Sequence, residues 1–183
     1  GENGDFGIKY ATKSGGQCSS QISDAIYART KEISAFKIYD APDVNLQNLG
    51  TQKLGDMEIE VIDPISVYTE MMESIFDFAA IKKLFAGGFT MVFDAMNAVT
   101  GPYALKIFEE VLGAPKGSVR NFIPKPDFGG LHPDPNLIYA KNLVDFMYSD
   151  NGPDFGAAND GDGDRNMILG HKFFVTPSDS LAI

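Results

Sequence analysis

The chain has 183 residues, of which 44% are hydrophobic; this is enough for one or two small domains with real cores and excludes wholesale disorder. Fifteen basic residues stand against 25 acidic ones, which gives a formal net charge of −10. Because an acidic surface repels phosphodiester backbones, we predict no nucleic-acid partner, although a few local cations or a metal can still bind a lone phosphate.

The composition also bears on the compartment. The single cysteine, Cys18, excludes an intrachain disulfide and a zinc cluster of cysteines. No apolar run approaches the ~20 residues of a membrane-spanning helix, and the polar residues 1–5 lack the core of a signal peptide. We therefore predict a cytoplasmic protein with no transmembrane segment. The missing initiator methionine, and an end just after a helix-start signal at residues 178–180, indicate an internal piece of a longer chain.

Regular elements are sparse in the first third of the chain. Apolar spacing and alternation predict a strand, a helix and a second strand, at Phe6–Tyr10, Gln21–Ile33 and Glu58–Ile62. The polar stretch between the helix and the second strand is predicted to be irregular through Gln52. Pro64 suits the first turn of a new helix, so we place a domain boundary there.

From Pro64 onward, predicted helices and strands alternate. Apolar residues at three- and four-residue spacing predict helices around Val67–Phe76, Ala104–Leu112 and Ala140–Met147. Short apolar runs predict strands at Phe89–Phe93, Val119–Ile123 and Phe155–Ala158. Gly113 closes the second of these helices. The alternation favours an α/β fold whose mixed or parallel sheets are flanked by helices.

An acidic loop follows the last predicted strand. Asp160, Asp162 and Asp164 alternate with two glycines and end at Arg165. Like charges at ~4 Å repel by ~1 kcal/mol even in water, so three close carboxylates need a reason to be together. A hard divalent cation supplies one, and the glycines allow the backbone to turn tightly enough to aim all three inward. The carboxyl end of a strand is also where open α/β sheets bind ligands.

Two other interpretations fit this loop less well. An EF-hand calcium loop requires glycine at its sixth position and glutamate at its twelfth, where this sequence has Arg165 and His171, so the EF-hand is rejected. An acidic turn without a metal is more often a solvated loop, but the density of this pattern directly after an apolar strand favours metal. His132, with no second histidine near it in sequence, is predicted to be a loop residue and not a ligand.

The segment DGDGDRNMILG at Asp160–Gly170 resembles the metal loop of the α-D-phosphohexomutases. The wider likeness is to their phosphoglucomutase branch, which includes parafusin. The other matching stretches occur in family order along almost the whole chain: Asn3–Lys9, Gly101–Tyr103, Asp127–Asn136, Phe155–Ala158 and Phe173–Ser180.

The resemblance implies a fold, a reaction and a cofactor. Members have four domains around a cleft and interconvert glucose 1-phosphate and glucose 6-phosphate through a phosphoserine and glucose 1,6-bisphosphate. It implies Mg²⁺ held by Asp160, Asp162 and Asp164, and phosphate binding by Arg165. Lys9 matches a lysine near the reacting groups, with a role in phosphate contact or proton transfer. A phosphosugar is the implied substrate.

The chain departs from the family pattern in one important respect. It contains no phosphoserine motif of the T-A-S-H-N-P kind, which in the family precedes the stretch matched by Asn3–Lys9. Ser14 lies in a different context and is not assigned as the nucleophile. We therefore expect this segment alone to be inactive.

The resemblance also implies a domain division, with 1–63 as the back part of domain I, 64–176 as domain II and 177–183 as the start of domain III. Two alternatives to a phosphoglucomutase stay open. One is a parafusin-like trafficking or scaffold protein with trafficking partners and little or no mutase activity. The other is a phosphomannomutase or phosphoglucosamine mutase, since the family's sugar-recognition loop lies in later domains.

Overall fold

The computed structural model describes residues 8–182, which form two compact units that divide between Val61 and Ile62. No helix among these residues combines the length and apolarity that crossing a membrane requires.

The first unit contains helix α1 (Ser20–Thr30) and a hairpin of strands β1 (Gly50–Leu54) and β2 (Met57–Val61). The strands pair antiparallel in the register Leu54↔Met57, and Gly55, at φ 60°, takes the first position of the two-residue turn between them. The predictions of α1 and β2 are confirmed, with α1 ending three residues early. The prediction of irregular structure through Gln52 is wrong at its end, where β1 begins at Gly50. Local sequence did not reveal β1, because this polar strand is ordered by its pairing with β2.

The predicted Phe6–Tyr10 strand begins outside the described residues, and Ile8–Tyr10 have irregular structure. Of the matching stretch Asn3–Lys9, likewise, only the last two residues are described.

The second unit contains five helices and five strands among the described residues. In chain order they are α2 (Pro64–Ile75), α3 (Phe78–Ala86), β3 (Met91–Asp94), α4 (Gly101–Ala104), β4 (Val119–Arg120), α5 (Lys141–Tyr148), β5 (Phe155–Asn159), β6 (Asn166–Gly170), β7 (Phe173–Val175) and α6 (Pro177–Ala182). Helix α4 runs directly into a π-helical segment, Leu105–Val111, and a 3₁₀ turn lies at Phe128–Gly130.

The five strands form one mixed sheet in the order β4-β3-β5-β6-β7. Strands β4, β3 and β5 are parallel, whereas β6 and β7 add antiparallel neighbours at one side. The predicted α/β class with mixed sheets flanked by helices is confirmed. The strand predicted at Val119–Ile123 is correct only for its first two residues, because the chain turns at Asn121, whose φ is 48°.

Two hydrophobic clusters cover the opposite faces of this sheet, and alternate strand residues enter each. Val92 and Ala158 belong to one cluster, and their neighbours Phe93 and Ala157 to the other. Helix α5 packs on the first cluster through Leu143 and Met147, while α4 and the π-helical segment pack on the second. Sheet layers of this kind require the period of two that the strands show.

The order in which the chain adds strands reverses direction across β3. From β3 the chain passes through α4 to β4 on one side, and from β4 it passes through α5 to β5 on the other side of β3. The carboxyl ends of β3 and β5 therefore flank a topological switch point, where open α/β sheets form their ligand crevice.

Capping residues explain two helix ends that the sequence predicted, the start of α2 and the end of the π-helical segment. The Asp63 side chain accepts a hydrogen bond from the Ile65 N–H at 3.0 Å, and Pro64 occupies the first helical position of α2. Gly113, at φ 81°, follows the last turn after Leu112, where a left-handed residue ends a helix.

Candidate metal centre

The acidic loop is the turn between β5 and β6 at the switch point. Asn159 and Asn166 are the last paired residues on either side of it. The Arg165 carbonyl closes the turn by accepting hydrogen bonds from the Asp160 N–H at 3.2 Å and from Asn159 Nδ2 at 2.9 Å. The loop is thus a short turn, closed by hydrogen bonds, that directly follows the buried strand β5.

Gly163 meets two requirements at once. Its φ is 80°, in the left-handed region that L side chains rarely adopt. A Cβ atom there would lie 2.6 Å from Cγ2 of Thr100, which belongs to the loop after β3. The two loops that border the switch point therefore pack directly on each other, and only glycine fits at position 163.

The loop brings the three predicted carboxylates together. One oxygen each from Asp160, Asp162 and Asp164 can be chosen so that all lie within 4.8 Å of one another. Asp160 is only 1% exposed, whereas the other two side chains are exposed. Oxygen ligands at about 2.1 Å from an octahedral magnesium ion lie about 3 to 4 Å apart, so a small adjustment of exposed side chains suffices. The donor set fits a hard divalent cation.

Arg165 makes ion pairs with the carboxylates of this loop. Its Nε–H donates to Asp160 Oδ2 at 2.9 Å, its backbone N–H donates to Asp160 Oδ1 at 3.0 Å, and Nε lies 3.8 Å from Asp164 Oδ1. The hydrogen bond to Asp160 is the main cause that raises the pKa of Arg165 above its ordinary value. The predicted phosphate-binding residue thus lies beside the predicted metal ligands.

Asp134 is a site residue to which the sequence assigned no role. Its Oδ1 accepts a hydrogen bond from Arg165 Nη1 at 2.8 Å, and its Oδ2 accepts one from Asn136 Nδ2 at 3.0 Å. The neighbouring Pro133 carbonyl accepts the Gly161 N–H at 3.1 Å. Asp134 falls within the matching stretch Asp127–Asn136, which was the only signal that could have found it.

His132, next to this segment, contacts Tyr139, with ring centroids 4.2 Å apart and ring planes tilted by 46°. It lies between the 3₁₀ turn and α5 outside any helix or strand, as predicted.

The loop after β3 forms the other wall of the crevice and is held rigidly. Asp94 is buried, and its Oδ1 accepts hydrogen bonds from the Met96 N–H at 2.8 Å and from Asn121 Nδ2 at 2.9 Å. Met96 and Asn97 both have positive φ, 51° and 55°. Gly101 ends this loop, where a Cβ would lie 2.0 Å from the Phe122 carbonyl oxygen.

An apolar cavity of about 700 Å³ lies under the crevice, between α2 and α3 and the helix that begins at Gly101. Its polar end is lined by Thr100, Asn159, Asp162 and Gly163. The Thr100 hydroxyl is buried and has no hydrogen-bond partner within residues 8–182.

Lys9 is an exposed residue of the first unit. Its predicted role near the reacting groups stays a prediction, as do the metal and phosphate roles of the four loop residues.

The chain is similar to proteins of known family. Residues 66–172 match the family described as phosphoglucomutase/phosphomannomutase, alpha/beta/alpha domain II. All 183 residues align at 59% identity with a phosphoglucomutase of Rhizobium radiobacter, and they cover 34% of that relative. A chloroplastic phosphoglucomutase of Arabidopsis thaliana is 56% identical over 98% of the chain, which covers 29% of it.

The fold is similar to that of a solved relative. The open form of the exocytosis-sensitive phosphoprotein pp63/parafusin, a phosphoglucomutase from Paramecium, matches with a TM-score of 0.90 and 44% identity. The match covers 99% of this chain and 35% of that one. The chain spans about a third of the length of these relatives.

Proposed function

The chain belongs to the phosphoglucomutase/phosphomannomutase family, and we propose that it is the metal-binding part of a longer phosphoglucomutase. The longer protein interconverts glucose 1-phosphate and glucose 6-phosphate, with a phosphoserine outside these 183 residues and glucose 1,6-bisphosphate as intermediate and activator. The observation that carries this is the convergence of three carboxylates within 4.8 Å at the switch point of the sheet. A scaffold would gain nothing from three charges held so close.

The metal site is proposed to take Mg²⁺, held by Asp160, Asp162 and Asp164. When bound, the ion supplies Lewis-acid polarisation of a phosphoryl oxygen and neutralises developing negative charge. Phosphoryl transfer depends mainly on positioning and electrostatic stabilisation, so the task of this segment is to present charge in a fixed geometry.

Arg165 supports this assignment. The side chain of Arg165 is 63% exposed although it pairs with Asp160 and Asp134, so some of its donors remain open to an anionic ligand. A guanidinium can bind phosphate oxygens through paired hydrogen bonds, which a lysine cannot do. Lys9 is proposed to contact phosphate or to transfer a proton once the complete cleft surrounds it.

The domain division is proposed as 1–63 for part of domain I, 64–176 for domain II and 177–183 for the start of domain III. The boundary between the two compact units, after Val61, supports the first division. A cytoplasmic location is proposed, although relatives with both chloroplastic and cytoplasmic names occur.

The proposed function is tested by a coupled glucose 6-phosphate assay on the longer protein and on the 183-residue chain. The longer protein should convert glucose 1-phosphate with Mg²⁺ and a trace of the bisphosphate, and the shorter chain should be inactive because it lacks a nucleophile. Activity of the short chain that disappears with Asp162→Asn would reveal a nucleophile within it. An inactive, folded and phosphorylated longer protein would overturn the mutase assignment.

That last outcome would favour the second candidate function. The similar Paramecium structure is named both as an exocytosis-sensitive phosphoprotein and as a phosphoglucomutase. A trafficking or scaffold role with its own protein partners is therefore the alternative. Assays with mannose 1-phosphate and glucosamine 1-phosphate separate the other sugar specificities.

A further inference from the structure

Arg165 engages both oxygens of the most buried carboxylate in the loop. Oδ1 of Asp160 accepts the Arg165 backbone N–H, and Oδ2 accepts the Arg165 Nε–H. Since Asp160 is 1% exposed, little of its charge is solvated, and the guanidinium supplies much of the compensation. The acidic loop thus already contains one cation of its own.

A divalent cation held by the three carboxylates must come close to this guanidinium. The Nε atom is 2.9 Å from Asp160 Oδ2 and 3.8 Å from Asp164 Oδ1, which are two of the three side chains that would hold the ion. Two positive charges that share the same carboxylates repel each other and compete for the same lone pairs.

A second carboxylate accepts a hydrogen bond from a different nitrogen of the guanidinium. Asp134 holds Arg165 Nη1 at 2.8 Å, and its own position is fixed by Asn136. If the contact with Asp160 weakens, Asp134 still keeps the guanidinium beside the loop.

We propose that Arg165 competes with a divalent cation for Asp160, and that Asp134 keeps Arg165 at the site when the divalent cation displaces it from Asp160. This rests on the metal centre proposed above and adds a coupling to it. Cation binding loosens Arg165 from Asp160, which frees its Nε–H for an anion. By reciprocity, an anion that takes up Arg165 strengthens cation binding by the same factor.

The first test measures Mg²⁺ affinity by calorimetry, and Mn²⁺ affinity by electron spin resonance, on the 183-residue chain at low salt. Arg165→Gln should bind either ion about three- to tenfold more tightly than the wild type, because a competing charge is gone. Arg165→Lys keeps the charge and should stay within about twofold of the wild type. The control is Lys172→Gln, which removes an exposed cation paired with Asp150 beyond the end of β6 opposite the acidic loop and should change affinity by less than about twofold.

Weaker or unchanged binding by Arg165→Gln relative to that control would overturn the proposal, because Arg165 would then support the ligands and not compete with the ion.

The second test uses the wild-type chain, so it does not depend on whether a variant folds. The NMR resonance of the Arg165 Nε–H is identified by its loss in Arg165→Gln. This proton should exchange slowly with water in the absence of a divalent cation, and faster as Mg²⁺ is added. Inorganic phosphate should tighten Mn²⁺ binding to the wild type more than to Arg165→Gln. The coupling would be overturned if the exchange rate of the Nε–H did not change with Mg²⁺. It would also be overturned if phosphate changed the Mn²⁺ affinity of both proteins equally.

The two proposals fail in different ways. If neither ion binds the wild-type chain, the metal centre is wrong and the coupling falls with it. If both ions bind and Arg165 does not respond, only the coupling is wrong.

Discussion

Arg165 and Asp134 connect two segments that lie 31 positions apart in the chain through a hydrogen bond of 2.8 Å. Arg165 ends the acidic turn between β5 and β6, and Asp134 precedes α5. The contact therefore fixes the direction of the guanidinium from outside the metal loop. We therefore expect Asp134 to position the arginine and not to bind the metal.

The first prediction concerns Asp134→Asn. The amide keeps one acceptor but loses the charge, so Arg165 is held less firmly. We expect kcat/KM of the longer protein to fall about tenfold, as hydrogen bonds between charged groups predict, with little change in thermal stability because the pair is partly exposed. Asp145→Asn is the control, since it breaks an exposed ion pair with Lys141 on α5. Equal activities of the two variants would contradict the positioning role.

The second prediction tests the contact between the two loops. Gly163→Ala places a Cβ 2.6 Å from Thr100 Cγ2 and also strains a backbone of φ 80°. Both effects shift the carboxylates, so Mg²⁺ affinity should fall at least about tenfold, with a stability loss of about 1–3 kcal/mol. Adding Thr100→Ser removes the clashing methyl group but not the strain. The double variant should therefore recover part of the affinity; no recovery would show that the clash is unimportant.

The third prediction separates the three aspartates. Each Asp→Asn change should weaken Mg²⁺ binding, because each removes one charged ligand. Only Asp160→Asn should also destabilise the fold without metal, by about 1–3 kcal/mol, since Asp160 is buried and bonded to Arg165. Asp162→Asn and Asp164→Asn should stay within about 0.5 kcal/mol of the wild type. Denaturant unfolding in a chelator measures this difference, and equal stabilities of all three would contradict it.

The sequence predicted the parts of this site that depend on neighbouring residues. The apolar runs of β3 and β5, the stripes of α2 and α5, and the alternation in Asp160–Asp164 are all local patterns. Together they placed an acidic loop at the carboxyl end of a buried strand, where the structure has it.

What sequence missed depends on contacts between distant residues. Strands β6 and β7 were not predicted, because β6 starts directly after the acidic loop and each is ordered by pairing with its neighbour. Helix α3 was also not predicted. The contacts of Arg165 with Asp134 and of Gly163 with Thr100 join segments with no shared local pattern, so only the tertiary structure reveals them.

The fourth prediction is a dependence of stability on pH at the amino ends of β3 and β5. Asp154 Oδ2 accepts hydrogen bonds from the Thr90 N–H at 2.9 Å and from the Thr90 hydroxyl at 2.8 Å. These bonds, the backbone one first, lower the pKa of Asp154 below its ordinary value of 3.8. A carboxyl with a lowered folded-state pKa stabilises the fold fully above its unfolded value, and this contribution is lost as pH falls through the folded value.

Asp154→Asn should therefore be less stable than the wild type at pH 7, and the difference should shrink below pH about 4. Thermal melts between pH 7 and the acid limit of folding measure it. Thr90→Val, which keeps the backbone donor, should show a smaller acid dependence than the wild type. A difference between Asp154→Asn and the wild type that is constant over the whole range would show that the charge of Asp154 is not involved.

The last prediction separates two properties of Arg165: its charge, and its planar guanidinium, which can donate two parallel hydrogen bonds. Arg165→Lys in the longer protein keeps a cation beside Asp160 and Asp134, so the fold and the Mg²⁺ affinity should be nearly unchanged. Lysine cannot bind two phosphate oxygens in parallel, so we expect kcat to fall by about tenfold or more. Steady-state kinetics at saturating Mg²⁺, with calorimetry on the same preparation, separate the two effects. Near-normal turnover would mean that Arg165 acts only as a charge; parallel losses of turnover and Mg²⁺ affinity would mean that it supports the metal ligands and does not bind phosphate itself.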